Sequence, residues 1–427
     1  MQEPRKSELN MCNQKMPKNI RYDIANRLSF RELKNLCKVN KKCKEMCNDD
    51  QYWRYRIQSK LASIPSFTKN GNHKQWYIDN VMDIYGMGQN MYETLNNPNP
   101  IHKFFNENED IQGVIDQPIL LLENTKYIYF DFDNNNNKPI YYIIDSYGNL
   151  GYIIGTFDKL ETKIISADVL SFVKPLKMDN EYNTIDTILI YLDVNENLIL
   201  HDKEKIIISE NVKDAKLFYA LLEDDLQTGY LYITMNDNKL FVIKDMDAYI
   251  GQDYPKEMIE DVGLIVKKFV HDIGDYNLVA TDELDYKKRL LYIDMDDQLF
   301  LGDKLIATRV KNAYPRSYDN DDGENNTLDV LHTNKNNTLF LCENVLKGDN
   351  KKCELLKYDI KSYHHDNVNN YELFLHMDGN LVLNGSNGIS YVLNNEIPEY
   401  LNDELVMQNV DNVFPSKYPF LVYSMII

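Results

Sequence analysis

The stretch that decides the fold is Leu-Tyr-Ile-Thr-Met-Asn-Asp-Asn-Lys-Leu at residues 231–240. An aliphatic and aromatic run is followed by a short polar segment, and a leucine then opens a second apolar run. Asn, Asp and Gly tolerate the left-handed backbone that tight turns require. The stretch therefore predicts a β-hairpin.

The same unit recurs along most of the chain. The leucines that close its six copies are Leu150, Leu198, Leu240, Leu299, Leu339 and Leu381. Successive closing leucines are 48, 42, 59, 40 and 42 residues apart. A period of this length with about four strands is typical of propeller blades. The six copies, with a leading blade from Met82 to about Asp133, predict about seven blades.

The end of the chain is also strand-like. Residues 419–427 form an apolar run. A propeller must pair its first and last strands, because open edges are templates for aggregation. This run is predicted to be the strand that closes the propeller.

Residues 16–61 follow a helical period instead. Ile20, Ile24 and Leu28 are four apart, and Leu33 opens a further apolar stripe. Three or four short helices around a small core are predicted. About 45 residues is near the lower limit for independent folding, so this unit is expected to lean on the propeller or on a partner.

The predicted fold class is mainly β, with a small N-terminal α-helical domain. The expected organisation is a flexible terminus at 1–15, a helical domain at 16–61, a linker at 62–80 and a propeller at 81–427.

Composition excludes several classes of function. The chain has 47 Lys and Arg against 66 Asp and Glu, a net charge of −19, which disfavours a nucleic-acid partner. No apolar run is long enough to span a membrane, and the first residues lack a signal-peptide core. The six cysteines do not form a disulfide pattern, so the chain is expected to be reduced and intracellular, cytoplasmic or nuclear.

The N-terminal stretch resembles an F-box domain. The family pattern is present as Met16-Pro17, the helix of Ile20, Ile24 and Leu28, Leu33-x-x-Leu36, Val39-Asn40-Lys41 and Trp53-Arg54. Met16 stands where the family has leucine. The resemblance implies docking on a Skp-type adaptor of a cullin ubiquitin ligase, while the repeats select a target protein.

The adaptor-binding residues that this resemblance implies are Met16, Pro17, Ile20, Leu33 and Leu36. Ile24, Leu28 and Val39 are expected to lie in the core of the helical domain instead.

The C-terminal region resembles the RCC-type propeller repeat (regulator of chromosome condensation). Residues 84–95 match its skeleton at Gly88, Asn90 and Leu95, but Glu93 and Asn96 replace later glycines of the family. The Trp-Asp ending and the double glycine of other propeller families are absent. An F-box followed by such a propeller resembles a layout common in large DNA viruses of amoebae.

Three functions remain open at this point. The favoured one is a non-catalytic substrate receptor of a Skp–cullin–F-box ubiquitin ligase. The alternatives are an RCC-type guanine-nucleotide exchange factor or chromatin binder, and a scaffold that sequesters the adaptor. The strong negative charge argues against chromatin.

No motif predicts an enzyme, a cofactor or a metal. Cys37, Cys43 and Cys47 are interpreted as buried apolar residues rather than zinc ligands. His364, His365 and His376 are assigned to surface loops. The calcium-like run that starts at Asp193 has Leu198 where the loop needs glycine, so a hairpin turn is preferred.

Acidic side chains are concentrated in several segments. These segments are 223–225, 245–247, 260–261, 319 and 321–324. Solvated loops are the preferred interpretation. The alternative is an acidic cradle on one propeller face that binds a basic segment of the target.

Overall fold

A computed structural model describes most of the chain. The described residues are 16–28, 30–39, 41–61, 72–90, 102–105, 111–122, 124–133, 138–154, 163–176, 188–202, 204–221, 227–276, 286–318, 327–346, 353–366, 371–385, 401–407, 410, 412–414 and 420–426. The predicted flexible terminus at 1–15 lies outside these residues. Among the described helices, none combines the length and the apolar character needed to cross a bilayer.

Five helices form the N-terminal domain. They are α1 (Lys18–Asn26), α2 (Phe30–Val39), α3 (Lys41–Cys47), α4 (Asp50–Leu61) and α5 (His73–Asn80). Their apolar faces meet around Trp53, whose indole N–H donates to the carbonyl of Cys47 at 2.8 Å. The predicted helical core is confirmed, with Cys43, Met46 and Cys47 buried in it.

A buried arginine holds the end of α1 in this core. The Arg56 guanidinium donates to the carbonyls of Ala25 (3.2 Å) and Leu28 (3.0 Å). It also lies 5.2 Å from the centre of the Tyr77 ring on α5. A cation is favourable where helix carbonyls lack partners, so Arg56 fixes α1 against α4 and α5.

Helix α5 corrects the predicted linker. Residues 73–80, assigned to the linker at 62–80, are helical, and Tyr77 belongs to the helical core. The side chain of Asn72 caps the helix by accepting from the backbone N–H of Gln75 at 3.1 Å. Residues 62–71 of the predicted linker lie outside the described part of the chain.

The remaining chain is a β-propeller. Six four-stranded antiparallel sheets follow one another in sequence, and each is called a blade here. Blade 1 contains β4 (Thr125–Asp133), β5 (Lys138–Asp145), β6 (Leu150–Ile154) and β7 (Lys163–Ser166). Blade 2 contains β8 (Val169–Leu176), β9 (Ile188–Asp193), β10 (Leu198–His201) and β11 (Lys205–Ser209). Blade 3 contains β12 (Val212–Leu221), β13 (Gln227–Met235), β14 (Lys239–Ile243) and β15 (Glu260–Ile265).

The second half of the propeller repeats this arrangement. Blade 4 contains β16 (Lys268–Asp272), β17 (Leu290–Ile293), β18 (Leu299–Leu301) and β19 (Lys304–Ala307). Blade 5 contains β20 (Val310–Tyr318), β21 (Thr327–Asn334), β22 (Leu339–Cys342) and β23 (Glu354–Lys357). Blade 6 contains β24 (Ile360–Asp366), β25 (Tyr371–His376), β26 (Leu381–Gly385) and β27 (Leu401–Met407). A short helix, α6 (Met246–Gly251), lies between β14 and β15.

A five-stranded sheet joins the two ends of the propeller. It contains β1 (Met82–Asn90), β2 (His102–Phe105), β3 (Ile111–Leu122), β28 (Asn412–Phe414) and β29 (Phe420–Ile426). Strand β29 pairs with β1, from Ile426 opposite Met82 to Phe420 opposite Gly88. The predicted closing strand is therefore confirmed.

The predicted blade count is wrong, because the residues that the structure describes form six regular blades rather than seven. The leading segment from Met82 does not form a blade of its own. Its first strand, β1, pairs with β29 at the end of the chain, and β4 already belongs to the first repeat copy. Strand pairing is non-local, so the alternation of apolar residues could not reveal this partner.

The repeat copies form hairpins, as predicted. Each closing leucine is fully buried. Two positions before it, every copy has a residue with positive φ: Gly148, Glu196, Asn238, Asp297, Asn337 and Gly379. In blade 2 the Asp193 carboxylate accepts from the backbone N–H groups of Asn195 and Asn197, each at 2.9 Å. The calcium-like run is thus a hairpin turn.

The same turn residues connect neighbouring blades. In four copies the carbonyl of the positive-φ residue accepts from the backbone N–H of the first residue of the next blade; examples are Gly148 accepting from Val169 and Asp297 accepting from Val310, both at 2.8 Å. The donors to Asn238 and Gly379 are Val266 and Val410, each two residues before the next strand. The first strands of blades also contact one another, β8 with β12 and β20 with β24. The first strand of each blade is therefore the inner strand, and the fourth strands carry the exposed outer edges.

The cysteines correct another prediction. Cys37 and Cys47 form a disulfide between α2 and α3, and Cys342 and Cys353 form a second one in blade 5. Cys43 is disulfide-bonded as well. The expectation of reduced thiols is contradicted, because the fold brings together cysteines whose spacing gave no disulfide pattern.

Candidate functional site

The predicted adaptor-binding residues divide into an exposed and a buried group. Pro17 is exposed directly before α1, and Ile20 in its first turn is 43% exposed. Met16 is partly exposed beside them. These three residues are consecutive or one turn apart, so they form one apolar patch, called the α1 patch here.

Leu33 corrects the predicted set, because it is only 1% exposed and lies in the helical core. Leu36 is half-buried and packs against the same core. Ile24 and Leu28 pack there as predicted. Val39 was expected in the core but is 68% exposed at the end of α2. A helical stripe identifies an apolar face without showing how much of it the neighbouring helices cover.

The helical domain is fixed to blade 1. The Ser146 hydroxyl donates to the carbonyl of Asn80, and the Tyr147 hydroxyl donates to the carbonyl of Leu61. Both residues lie in the hairpin turn between β5 and β6. Helix α5 also contacts β4. The α1 patch and the propeller therefore have a set relative orientation.

Lysines lie near the start of most inner strands. At or just before the start of each inner strand, a buried residue is followed by a side chain that is lysine in five of six blades; in blade 4 the pair Val266 and Lys267 directly precedes β16. These residues, called the inner-strand lysines here, are Lys126, Lys213, Lys267, Lys311 and Lys361. Blade 2 has Leu170 at this position. In blades 1, 3, 5 and 6 the lysine is the extra residue of a β-bulge, which turns its side chain out of the ladder.

Several of these lysines reach across to the next blade. The Lys126 ammonium donates to the carbonyl of Leu170 at 2.6 Å, and the Lys213 ammonium donates to the carbonyl of Lys267 at 2.9 Å. Lys268 likewise donates to the side-chain oxygen of Asn312 at 2.8 Å. These contacts gather cations from neighbouring blades on the inner side of the propeller.

Residues at the start of three inner strands line an open cavity of about 300 Å³, called the lysine pocket here, and its lysines are solvent-exposed. Blades 3, 4 and 5 all contribute to its wall. The lining residues are Lys213, Asp214, Thr234, Lys267, Lys268, Phe269, Ile293 and Lys311. The pocket therefore contains four lysines and one carboxylate, in a protein whose net charge is −19.

Burial shifts the pKa values of the charged groups around the pocket. The pKa of Lys216 is lowered to about 8 by burial, against the opposing charge of Asp214 and with a smaller contribution from the charge of Lys268. Burial also lowers the pKa of Lys268, with the charge of Asp214 opposing the shift and that of Lys311 adding to it. The pKa of Asp214 is raised by burial despite the neighbouring lysines. Loss of hydration disfavours the charged form of each group, which lowers the pKa of a lysine and raises that of an aspartate.

The acidic segments, considered as a cradle for a basic target, have local roles where they are described. The Asp245 carboxylate caps α6 by accepting from the backbone N–H of Ala248 at 2.8 Å. Glu260 forms an ion pair with Lys244 at 2.7 Å, and Asp261 accepts from the backbone of Gly263. Segments 223–225, 319 and 321–324 lie outside the described residues.

The histidines are placed differently from the prediction. His364 and His365 lie on the inner strand β24, not in a loop, and burial lowers the pKa of His364 to about 4. His376 ends β25. A separate group, missed in the sequence, brings His332 beside Cys342 and Cys353. The two sulfurs of that group are bonded to each other, so neither offers a thiolate to a metal.

The lysine pocket was also missed in the sequence. The signal was present, because Val212-Lys213 and Val310-Lys311 both follow a polar turn. Only the blade arrangement shows that such lysines, far apart in the chain, meet at one place.

No known protein family pattern and no curated protein matches the chain. Among solved structures, human WBSCR16 aligns with 80% of this chain and 99% of its own, at 8% identity and a TM-score of 0.45. Yeast RCC1 (Prp20), solved with Kap60, aligns with 81% of this chain and 89% of its own, at 10% identity and a TM-score of 0.36. The computationally designed protein Ika8 aligns with 76% of this chain and 95% of its own, at 11% identity and a TM-score of 0.37.

Proposed function

We propose that this protein is a non-catalytic substrate receptor, in which the helical domain binds a Skp-type adaptor with its cullin and the propeller binds a target protein. The observation that carries the proposal is the α1 patch. Pro17 and Ile20 are exposed on a helix whose other face is held in the core by Tyr22 and Ala25. A small helical domain with an uncovered apolar patch suits helix-in-groove binding.

The fixed joint with blade 1 supports the same role. A receptor must hold its target at a defined distance from the transfer machinery, because proximity and orientation govern the reaction. The contacts from Ser146 and Tyr147 to the helical domain provide such a joint.

The experiment measures binding of the purified chain to a Skp-type adaptor by calorimetry, and capture of the adaptor–cullin complex in a pull-down. Ile20→Asp is expected to weaken adaptor binding at least tenfold. The lost apolar contact contributes about 1 kcal/mol, and a carboxylate placed in an apolar groove adds a larger penalty. Leu33→Asp is unsuitable for this test because Leu33 is in the core.

Ile164→Asp is the matched control, because Ile164 is an exposed isoleucine on the propeller. It should bind the adaptor like the wild type. Absence of binding by the wild type, or equal binding by Ile20→Asp, would refute the adaptor role. The propeller would then remain as a scaffold or an exchange factor of RCC type, the alternatives drawn from the sequence.

A further inference from the structure

The lysine pocket contains more positive charge than its surroundings neutralise. Lys267 forms an ion pair with Asp297. Lys213, Lys268 and Lys311 instead donate to the neutral side-chain oxygens of asparagines, at 2.7 to 2.8 Å. Within the part of the chain that the structure describes, none of these three lysines has a carboxylate within ion-pair distance.

This excess of charge is unusual for the chain that carries it. Acidic residues outnumber basic ones by 66 to 47, so carboxylates were available to pair with these lysines. Like charges that line one cavity repel one another, and the apolar part of the wall limits how far water can screen that repulsion. Phe269 and Ile293, both buried, form the apolar part of the wall. A bound anion would relieve this repulsion.

We propose that the lysine pocket binds a phosphate-bearing group. Its cations are all lysines, and the lysine ammonium is a common phosphate ligand that acts as a point charge. A volume of about 300 Å³ admits a compact group rather than a folded surface. The group is carried either by a small anion or by a phosphorylated side chain of a target.

The simpler explanation is that these lysines only connect neighbouring blades. An ammonium group has three donors, and the described contacts of Lys268 and of Lys311 use one donor each. The donors that remain are available to a ligand. Anion binding requires the positive charge of these lysines, whereas connecting the blades requires only hydrogen-bond donors. The variants therefore change the charge.

The test uses the full chain and sodium tripolyphosphate as the probe, measured by isothermal titration calorimetry at about 150 mM salt, where exposed charges are largely screened. Two triple variants are compared at Lys213, Lys268 and Lys311. Replacement by glutamine removes the charge and keeps a hydrogen-bond donor, whereas replacement by arginine keeps the charge. The glutamine variant is expected to bind at least thirtyfold more weakly, and the arginine variant within about fivefold of the wild type.

A matched control removes the same amount of charge elsewhere. It carries glutamine at three exposed lysines outside the pocket, Lys239, Lys256 and Lys287. This control should bind like the wild type. Circular dichroism confirms that each variant is folded, and an unfolded glutamine variant is replaced by the three single substitutions, each expected to weaken binding about threefold or more.

A second arm identifies the carrier of the phosphate group. A peptide with two phosphoserines is titrated beside its unphosphorylated form. Binding of tripolyphosphate alone supports a small anion, and binding of both tripolyphosphate and the phosphopeptide supports a phosphorylated target as well. No binding of either probe, or equal losses in the pocket variant and the surface control, would overturn the proposal.

This inference does not rest on adaptor binding, because both probes are titrated into the chain alone. A failed adaptor test would leave the lysine pocket unaffected, and a failed phosphate test would leave the α1 patch unaffected.

Discussion

Replacing Arg289 by methionine should strongly destabilise the propeller, because it breaks a buried ion pair of blade 4 that also contacts blade 3. Arg289 precedes β17, and its Nε atom lies 2.8 Å from Oδ1 and 3.1 Å from Oδ2 of Asp272, which is almost fully buried. The guanidinium also stacks on Tyr230 of blade 3, 4.6 Å from the ring centre. The pair thus connects blades 3 and 4.

The expected loss at pH 8 is about 4 kcal/mol. Removing one partner of a buried ion pair costs about 3 to 5 kcal/mol, because the other charge stays buried. Two further donors to Asp272 remain, the Tyr232 hydroxyl at 2.7 Å and the backbone N–H of Gly274 at 3.0 Å. They keep the loss below the upper end of this range. A domain is typically stable by about 5 to 15 kcal/mol, so the change is large.

The loss should depend on pH in a defined direction. Burial raises the pKa of Asp272, and Arg289 opposes this shift. Without Arg289 the pKa of Asp272 in the folded state rises further above that of the unfolded chain. The folded variant then binds a proton more readily than the unfolded one, so its stability falls as pH rises through the raised pKa. The deficit should be smaller at pH 5 than at pH 8.

The assay is urea unfolding of the full chain followed by far-ultraviolet circular dichroism, which reports the sheets. Lys287→Met, two residues away and exposed, is the control and should change stability by less than about 0.5 kcal/mol. The double variant Asp272→Asn, Arg289→Met should recover part of the loss. A deficit below about 1 kcal/mol at pH 8, or one that grows as pH falls, would refute the reasoning.

Four other outcomes are expected. Deleting residues 420–427 removes the partner of β1 at seven paired positions and should abolish cooperative thermal unfolding measured by circular dichroism. Asp193→Ala removes the acceptor of two backbone N–H groups and should cost about 1 to 2 kcal/mol in urea unfolding, whereas exposed Asn195→Ala should cost less than half of that. Leu33→Asp should unfold the helical domain, seen as a red shift of tryptophan emission, because it places a carboxylate in the core at a cost above about 3 kcal/mol. Burial lowers the pKa of His332 to about 4, so as pH falls the unfolded chain binds a proton at this histidine before the folded chain does. The free energy of unfolding should therefore fall by up to about 3 kcal/mol between pH 6.5 and 4, and His332→Gln should reduce this pH dependence.

Local patterns in the sequence were sufficient for the repeats. The closing leucines follow turns whose left-handed residues are Gly, Asn, Asp and Glu, and such turns are determined by a few neighbouring residues. The blade count was not predictable in this way. Met82 begins a run with strand character, but its partner is Ile426, at the far end of the chain, and alternation gives no information about pairing.

The candidate sites show the same limit. Ile20 and Leu33 belong to equally apolar helical stripes, yet one is exposed and the other is buried, because the packing of α1, α2 and α4 decides which positions are covered. Lys213 and Lys311 are 98 residues apart in the chain and line one pocket only because blades 3, 4 and 5 are adjacent. Charge patterning along the sequence predicted acidic loops, whereas the charge that lines the pocket is mainly positive.

The hydrogen bond from each hairpin turn to the next inner strand has a consequence for how this chain tolerates change. The carbonyl of Asn238 accepts from the backbone N–H of Val266, just as that of Gly148 accepts from Val169. The two distances are the same although the segment from Leu240 to Leu299, which contains α6, is the longest interval between closing leucines. Blade spacing is thus set by one short contact rather than by the number of residues in a repeat. Insertions in the outer connections can therefore accumulate, and new loops can evolve there, while the angle between neighbouring blades stays constant.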